Sequence, residues 1–351
     1  MTRILVTGSG GSAAANFVHS LRSAPATFHV VGTDSRREHL ELADLDACYL
    51  LPRFDDPRYL DELNAVVEAE QVEVVHPQPD PEVRVIAERR DEVRARTFLP
   101  AAETIALTQD KLACTARLAE AAVPVPQSGD GDVHDAAGQI LSAHGKAWVR
   151  AKEGAGARAS LPVTTVDQAV AWARYWVETR GLAYEDFMVG EFLPGREFAF
   201  QSVWRDGELV TSQGRERLEY LYGHLTPSGQ TSTPSVARTV HRADVNEIAA
   251  AAIRAVDPQA TGVFCVDLKE DRDGQPRVTE INAGRFFTTS NFLTEAGANM
   301  PYAYVQLALG ENVKGLPPYD AVEEGLYWVR MVDMGFKLVR ENEWRSKALE
   351  T

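Results

Sequence analysis

The chain has 351 residues, of which 44% are hydrophobic and 25% are charged, so it is long enough for two or three folded units with large cores. With 36 basic and 51 acidic residues its formal charge is −15, which argues against nucleic acid and anionic membranes as partners. No apolar run approaches the roughly 20 residues of a membrane helix, and three widely separated cysteines form no disulfide or metal motif, which favours a cytoplasmic location.

Short apolar strands alternate with amphipathic helices in the first hundred residues. The strands are predicted at RILVTG, FHVVGTD and VEVVHPQ, and helices at residues 13–22 and 59–70 lie between them. This order is typical of a parallel sheet with right-handed crossovers. A helical stretch at 81–96 and one long helix before the exit VPVPQS follow.

The rest of the chain is predicted to be α+β. Residues 146–200 contain a strand, a Gly/Ala loop, a second strand, a helix at 167–179 and two further strands. A helix at 243–255 precedes the hairpin VFCVDLKEDRDGQPRVTEIN, in which Asp273-Gly274 is a strong turn signal. We expect a small α+β lobe at 146–200, followed by further hairpin strands.

A glycine-rich turn follows the first strand. Gly8-Ser-Gly10-Gly11 opens a helix, and Asp34 ends the second strand, as in a dinucleotide-binding fingerprint. A tight turn in any doubly wound sheet also favours small residues. An NAD(P)-dependent oxidoreductase is therefore one alternative, although it leaves the acidic hairpin unexplained.

The hairpin carries three oxygen ligands. Asp267 lies on its first strand, and Glu280 and Asn282, two residues apart, lie on one face of its second strand. Carboxylate and amide oxygens suit Mg²⁺. Ordinary surface acids are the alternative interpretation, but an unpaired acid within an apolar strand would be costly.

Two connections have features of a nucleotide site. Lys152 ends a strand directly before the small-residue loop 153–160, whose backbone N–H groups could cover an anion. In the segment MVGEFLPGRE, exposed backbone groups could bind the edge of a heterocycle and Glu197 a sugar diol. Either connection, taken alone, is also common as a plain turn.

Taken in order, these features resemble the ATP-grasp superfamily, in particular the large subunit of carbamoyl-phosphate synthase and the single-chain carboxylate–amine ligases. The resemblance spans the motifs GSGGSAAANF, TQDKLACTARLAEAAVPVPQ, VRAKEGAGARAS, VGEFLPGREF and DLKEDRDGQPRVTEINAGRF. It implies a pre-ATP-grasp, Rossmann-like parallel sheet at 1–105, followed by a two-lobed ATP-grasp fold. The small lobe with its entry helix would cover 106–192, and the large lobe with the metal hairpin 193–351.

The resemblance also implies roles for individual residues. Those that would bind ATP are Lys111, Lys152, Gly154, Gly156, Ser160, Glu191, Phe192, Leu193 and Glu197. Two Mg²⁺ ions, with Mn²⁺ as an alternative, would be held by Asp267, Glu280 and Asn282, and the catalytic residues would be Arg285 and Lys152. Two positions depart from many relatives: Gly190 replaces an acid, and Gly284 delays the arginine that usually follows the asparagine more closely.

The implied activity is an ADP-forming ligase that converts a carboxylate into an acyl phosphate and joins it to an amine. Amino acids are the expected substrates, and the resemblance allows a homodimer. Candidate substrate residues are Arg215, Arg217, Thr231, Thr233 and His76. Phosphorylation of bicarbonate, as in carbamoyl-phosphate synthesis, and a non-catalytic nucleotide sensor remain as alternatives.

Overall fold

The structure is a computed structural model that describes residues 1–41, 43–154, 157, 159–231, 233–332 and 336–340, without the side chains of 336–339. Three sheets contain four, three and seven strands. The predicted combination of α/β and α+β structure is confirmed. None of the described helices has both the length and the apolarity needed to cross a bilayer.

The first sheet is parallel, with the strand order β3-β2-β1-β4. Its strands are β1 (Thr2–Thr7), β2 (Phe28–Asp34), β3 (Ala47–Leu50) and β4 (Val74–His76). The helices that connect and follow them are α1 (Ser12–Arg22), α2 (Arg37–Leu40), α3 (Tyr59–Ala69) and α4 (Asp80–Glu88). Ile4, Leu5 and Val6 are all fully buried, as expected for a parallel strand that is covered on both faces.

Two helical predictions are corrected by the structure. The helix predicted at 81–96 ends at Glu88, and a short 3₁₀ turn (Arg90–Glu92) follows. The predicted long helix is divided into α5 (Ala102–Gln109) and α6 (Lys111–Glu120). The Asp110 carboxylate separates them because it accepts hydrogen bonds of 3.0 Å from the amides of Leu112 and Ala113, an N-cap that starts a new helix.

The second sheet is antiparallel and small, with the order β6-β5-β7. It consists of β5 (Ala147–Ala151), β6 (Leu161–Val163) and β7 (Phe187–Glu191), and it packs with α7 (Val133–His144) and α8 (Val166–Arg180). Both helices begin at a side-chain N-cap and end at a left-handed glycine, Gly145 or Gly181. These elements share a hydrophobic core of their own.

The third sheet is antiparallel, with the order β12-β11-β8-β9-β10-β13-β14. Its strands are β8 (Glu197–Arg205), β9 (Glu208–Tyr220), β10 (Pro234–Val240), β11 (Gly262–Glu270), β12 (Pro276–Ala283), β13 (Tyr327–Arg330) and β14 (Phe336–Val339). Its helices are α9 (Ala243–Val256), α10 (Ser290–Glu295) and α11 (Met300–Ala308). The predicted hairpin is β11–β12, and its pairing places Asp267 opposite Glu280 and Cys265 opposite Asn282.

The parallel sheet and the seven-stranded sheet are packed together. One continuous core includes Leu5 and Val75 from the first and Phe200 and Phe264 from the second. Burial of large apolar side chains between them, at roughly 25 cal/mol per Å² removed from water, holds the two in a fixed relation. The end of β4 therefore lies beside the hairpin, although the two are far apart in sequence.

His76, a candidate substrate residue, lies in this core. Its ring is fully buried and stacks on Phe17 with the centroids 4.1 Å apart, and Nε2 lies 2.9 Å from Gln78 Oε1. Burial lowers the pKa of His76 to about 4, against a smaller opposing effect of the Gln78 contact. His76 is thus a neutral core residue at physiological pH.

We predict a pH dependence of stability that arises from His76. Between pH 6.5 and 4, His76 binds a proton in the unfolded chain but not in the folded protein. The free energy of unfolding of the wild type should therefore fall by about 2–3 kcal/mol relative to that of His76→Leu as the pH is lowered to 4.5. Urea unfolding of both proteins at pH 7.5, 5.5 and 4.5 measures this difference. The exposed His134 supplies the control variant, His134→Leu, and an equal pH dependence in all three proteins would contradict the prediction.

Candidate active site

A cavity of about 970 Å³ is lined by residues from all three sheets and their loops. The parallel-sheet domain contributes the segment after β4, the small sheet contributes β5, β7 and the small-residue loop, and the large sheet contributes β9 and the hairpin. A cleft of this size between packed units is typical of small-molecule sites. Most of the residues predicted from sequence line it.

The three candidate metal ligands face this cavity. Asp267, Glu280 and Asn282 all line it, and register pairing brings Asp267 and Glu280 side by side. Burial raises the pKa of the Asp267 carboxyl, and Arg217, whose Nη2 donates to Asp267 Oδ1 at 2.6 Å, offsets part of that rise. Two adjacent carboxylates and an amide form an all-oxygen donor set that fits Mg²⁺.

Lys111 connects the hairpin to the small-residue loop. Its Nζ lies 3.6 Å from Glu280 Oε1 and donates a 2.7 Å hydrogen bond to the carbonyl of Gly154. The side chain is 8% exposed, so its charge acts at short range in a poorly solvated place. Lys111 therefore provides a cation at the side of the cavity where the acidic hairpin lies.

Arg150, rather than Lys152, faces the cavity from β5. Arg150 lines it and donates from Nη2 to the carbonyl of Thr279 at 2.9 Å, and its pKa is lowered by burial against the opposing charge of Glu280. Lys152 is not among the described lining residues. Its backbone instead bonds to Lys111 and Asp186 at 3.1 and 2.8 Å. Arg150 was not singled out from the sequence.

The small-residue loop closes one side of the cavity. Gly154 and Ser160 line it, together with Ala157. Gly156, which was also predicted to bind nucleotide, lies outside the described residues. Trp172 on α8 donates from Nε1 to the carbonyl of Ala159 at 2.7 Å, which ties the far end of the loop to α8.

The predicted hinge lies where β7 leaves the small sheet. Glu191, Phe192 and Leu193 line the cavity beside Trp148 of β5. The centroids of the Phe192 and Trp148 rings are 6.3 Å apart. Lys146 Nζ lies 3.8 Å from the centroid of the Phe192 ring. This aromatic end of the cavity has the chemistry of a site for a planar heterocycle.

Glu197 forms the centre of a polar cluster at the beginning of β8. Tyr220 Oη and Lys269 Nζ each approach its carboxylate at 2.5 Å, and Gln230 Nε2 also donates to it. Burial would raise the pKa of Glu197, but Lys269 and Tyr220 together hold it below its ordinary value. The carboxylate stays charged and still has lone pairs for a hydroxyl ligand.

Arg285 lies between the hairpin and the parallel-sheet domain. Its guanidinium donates from Nε and Nη2 to the two oxygens of Asp80, the Nη2 bond being 3.1 Å long, and Nη2 also donates to Asn282 Oδ1 at 2.5 Å. Burial lowers the pKa of Arg285, but the charge and hydrogen bonds of Asp80 together with the charge of Glu280 outweigh it, so the net shift is upward. Arg285 remains a fixed cation at the cavity wall.

The candidate substrate residues separate into two groups. Arg217 and Thr231 line the cavity, whereas Arg215, Thr233 and His76 are not among its described lining residues. Thr231 Oγ1 lies 3.0 Å from the carbonyl of Leu221, which holds its segment beside β9. The parallel-sheet domain contributes further lining residues that were not predicted: Phe54, Arg84 and Glu88.

Arg215 is a buried cation without a complete set of partners. It is 3% exposed, and among the described residues its Nε and Nη1 have no hydrogen-bond partner. The guanidinium lies 4.8 Å from the centroid of the Phe287 ring. Burial lowers the pKa of Arg215 to about 10, and the charge of Arg217 adds to this effect.

We expect Arg215→Met to raise the free energy of unfolding by about 1–3 kcal/mol near neutral pH, because it removes a poorly paired buried charge. Above pH 10 folded Arg215 begins to lose its proton, so the gain should shrink. Urea unfolding measures both effects, and the exposed Arg180 provides the control, Arg180→Met. A destabilised Arg215→Met protein would show that the guanidinium is paired in solution.

The glycine-rich turn after β1 is packed against other parts of the chain. The Gly10 amide donates to Asp34 Oδ2 at 3.3 Å, and a Cβ on Gly10 would lie 2.2 Å from that of His39. Gly8 has a φ of +56°, and a Cβ there would lie 2.3 Å from Pro79 Cγ. These close contacts explain why glycine is needed at both positions. The carboxylate of Asp34 accepts a hydrogen bond from the turn itself.

Two family models match the sequence. A model described as "ATP-grasp in the biosynthetic pathway with Ter operon" matches residues 183–326, and one described as "PylC-like, N-terminal domain" matches residues 4–99. No curated protein matches the chain. The first model includes the hinge, β9 and the acidic hairpin, and the second covers the parallel sheet.

Solved structures of three enzymes are similar over almost the whole chain. They are the biotin carboxylase domain of 2-oxoglutarate carboxylase from Hydrogenobacter thermophilus (TM-score 0.69, 16% identity, 93% of this chain and 73% of that one), N5-carboxyaminoimidazole synthetase from Staphylococcus aureus with ADP (0.69, 15%, 94% and 82%) and L-amino acid ligase from Bacillus licheniformis (0.65, 14%, 93% and 79%). The predicted resemblance to the ATP-grasp superfamily is therefore confirmed: residues 183–326 match an ATP-grasp model, and the chain has the fold of these structures.

Proposed function

We propose that the protein is an ATP-dependent ligase that phosphorylates a carboxylate and joins the resulting acyl phosphate to an amine, releasing ADP and phosphate. One observation carries the proposal: a single cavity brings together paired acids on a hairpin (Asp267, Glu280) and cations from three different elements (Lys111, Arg150, Arg285). Phosphoryl transfer needs little else from a protein than positioned charge of both signs.

ATP would extend from the hinge to the hairpin. The base lies against Phe192 and Leu193 and bonds to the backbone near Glu191, and Glu197 accepts the ribose hydroxyls. Lys111 and Arg150 neutralise the phosphates, while the loop with Gly154 and Ser160 covers them. Arg150 takes the role that the sequence suggested for Lys152, because Arg150 lines the cavity.

The acidic hairpin fits a divalent cation. Asp267 and Glu280 face each other across paired strands, and Asn282 has a second lone pair on Oδ1 beyond the one that Arg285 occupies. Two Mg²⁺ ions, with Mn²⁺ as a substitute, would lower the charge repulsion between the phosphates and an incoming carboxylate. Lys111, 3.6 Å from Glu280, then limits the negative charge of the site.

Activation of the carboxylate is the chemical purpose of the arrangement. A carboxylate oxygen attacks the γ-phosphorus and ADP leaves, so that a mixed anhydride replaces the resonance-stabilised carboxylate. Arg285 balances the charge on the transferred group. The amine nitrogen then attacks the carbonyl carbon and phosphate departs, and closure of the small-residue loop keeps water from the acyl phosphate.

We further propose small substrates such as amino acids, held between Arg217 and Thr231 on one side and Phe54 and Arg84 of the N-terminal domain on the other. All four residues line the cavity, and L-amino acid ligase is one of the similar structures. Arg215, Thr233 and His76, which the sequence suggested as substrate residues, would support this surface without contacting the substrate. We also propose that the protein forms a homodimer and that it is located in the cytoplasm.

Bicarbonate is the second candidate for the activated carboxylate. The similar 2-oxoglutarate carboxylase domain was solved with Mg-ADP and bicarbonate. The cavity here offers the same kinds of charge to such a small anion. In that case ADP release would depend on bicarbonate and not on an organic carboxylate.

Thermal unfolding with ligands tests the proposal. Mg-ATP at 100 times its Kd should add about 2.7 kcal/mol of stability, whereas NAD⁺ and NADP⁺ should have no effect because the glycine turn is packed against His39 and Pro79. ADP release is then measured with pairs of amino acids and, separately, with bicarbonate. Stabilisation by a nicotinamide cofactor alone would refute the ligase proposal.

A further inference from the structure

The segment that follows β4 contacts the segment that follows the acidic hairpin. Residues 76–80 read His-Pro-Gln-Pro-Asp and lie at the carboxyl edge of the parallel sheet. Gln78 Nε2 donates to the carbonyl of Phe286 at 2.8 Å, and Asp80 accepts from Arg285. His76 supports this contact from the core, since its Nε2 lies 2.9 Å from Gln78 Oε1.

We propose that this segment of the N-terminal domain is a positioning device for Arg285, with Asp80 as the residue that sets the plane of its guanidinium. The inference rests on the ligase function proposed above. It assigns the N-terminal domain a part in phosphoryl transfer and a role to the His-Pro-Gln-Pro-Asp segment that the rest of the site does not use. Asp80 is a positioning residue, because it acts through Arg285.

The geometry supports this role. An arginine side chain has four flexible torsions, and a two-point bond to a carboxylate fixes both its position and its plane. The bonds to Asp80 and Asn282 use Nε and Nη2, and they do not use the two Nη1 hydrogens. Among the described residues these hydrogens have no acceptor, so they are available as donors for an anion in the cavity that Arg285 lines.

Gly284 explains why the arginine lies where it does in sequence. Its φ is +86°, and a Cβ there would lie 2.7 Å from Val83 Cγ1 on α4. The glycine thus lets the chain approach α4 closely directly after β12, which brings the next residue, Arg285, to Asp80 at the start of the same helix. The position of Arg285, one residue after Gly284, is therefore what allows its guanidinium to reach Asp80.

The test measures how strongly a mimic of the transferred phosphoryl group binds. Aluminium fluoride should tighten the binding of Mg-ADP to the wild-type protein, and calorimetry gives the tightening factor. In Asp80→Asn we expect this factor to fall about 10- to 100-fold, the loss typical of a displaced catalytic group, with the Kd of Mg-ADP alone changed less than about threefold. Glu92→Gln, which alters an exposed ion pair with Arg89 in the same domain, should behave as the wild type.

A double mutant shows whether Asp80 acts through Arg285 or affects binding independently of it. Arg285→Lys should lose the tightening factor as well, and Asp80→Asn combined with Arg285→Lys should be no worse than Arg285→Lys alone. A wild-type factor in Asp80→Asn, or losses that multiply in the double mutant, would overturn the proposal. If Asp80→Asn does not fold, Asp80→Ser replaces it because it also removes the carboxylate, and a wild-type factor there overturns the proposal equally. Failure of the wild type to bind Mg-ADP would instead refute the ligase function.

Discussion

Glu280→Gln is expected to reduce ATP turnover about 100- to 1,000-fold while the fold stays intact. The substitution keeps the size and the hydrogen-bonding oxygen of the side chain. It removes one of the two negative charges that lie opposite each other across the hairpin, since Asp267 is the cross-strand neighbour of Glu280. A divalent cation would then be held by one carboxylate instead of two. ADP release at saturating Mg-ATP, with whichever substrate pair supports turnover, measures the effect.

The control for this substitution is Glu295→Gln, because Glu295 is an exposed residue at the end of α10. It should retain wild-type turnover. The Mg²⁺ concentration needed for half-maximal thermal stabilisation by ATP should rise in Glu280→Gln and remain unchanged in Glu295→Gln. Turnover within a few-fold of the wild type in Glu280→Gln would show that the hairpin does not hold the metal.

The hairpin shows what local sequence patterns can predict. Asp273-Gly274 fixes the turn, and because side chains alternate along a strand, Glu280 and Asn282 must share a face. The structure has this pairing, with Asp267 opposite Glu280. Neither conclusion requires knowledge of any contact outside the hairpin, which is why sequence reasoning was sufficient here.

Contacts across the chain could not be predicted in this way. Asp80 and Arg285 are 205 residues apart, and their meeting depends on the core shared by the parallel sheet and the large sheet. His76 illustrates the same limit. The carboxyl edge of a parallel strand is a common ligand position, but a strand covered on both faces does not reveal which side chain turns inward, and His76 stacks on Phe17.

Asp110 is a signal that was present in the sequence and was overlooked. An Asp between two helical segments is a strong N-cap candidate, and its carboxylate does start α6 at Lys111. The cap has a consequence for the site, because Lys111 is held at the first turn of the helix with its amide 3.1 Å from the carbonyl of Lys152. A local capping rule thus positions one of the cations in the cavity.

The structure offers Arg150 on β5 as a second candidate beside Lys152, and the two lead to a testable contrast. By strand alternation residues 150 and 152 should share a face, but β5 ends at Ala151. Beyond that point the backbone of Lys152 turns to bond with Lys111 and Asp186. Arg150 therefore enters the cavity, and Lys152 is not among the described residues that line it.

Arg150→Met should raise the Kd of Mg-ATP about 100-fold, whereas Lys152→Met should raise it less than about threefold. The first substitution removes a charge-assisted contact in a poorly solvated site, a loss of roughly 2–3 kcal/mol, while the second removes a charge that the cavity does not contact. Calorimetric titration of both variants with Mg-ATP decides between them, with thermal unfolding as the check that each is folded. The opposite ranking would mean that the loop carries Lys152 into the site when nucleotide binds, and that β5 contributes only structure.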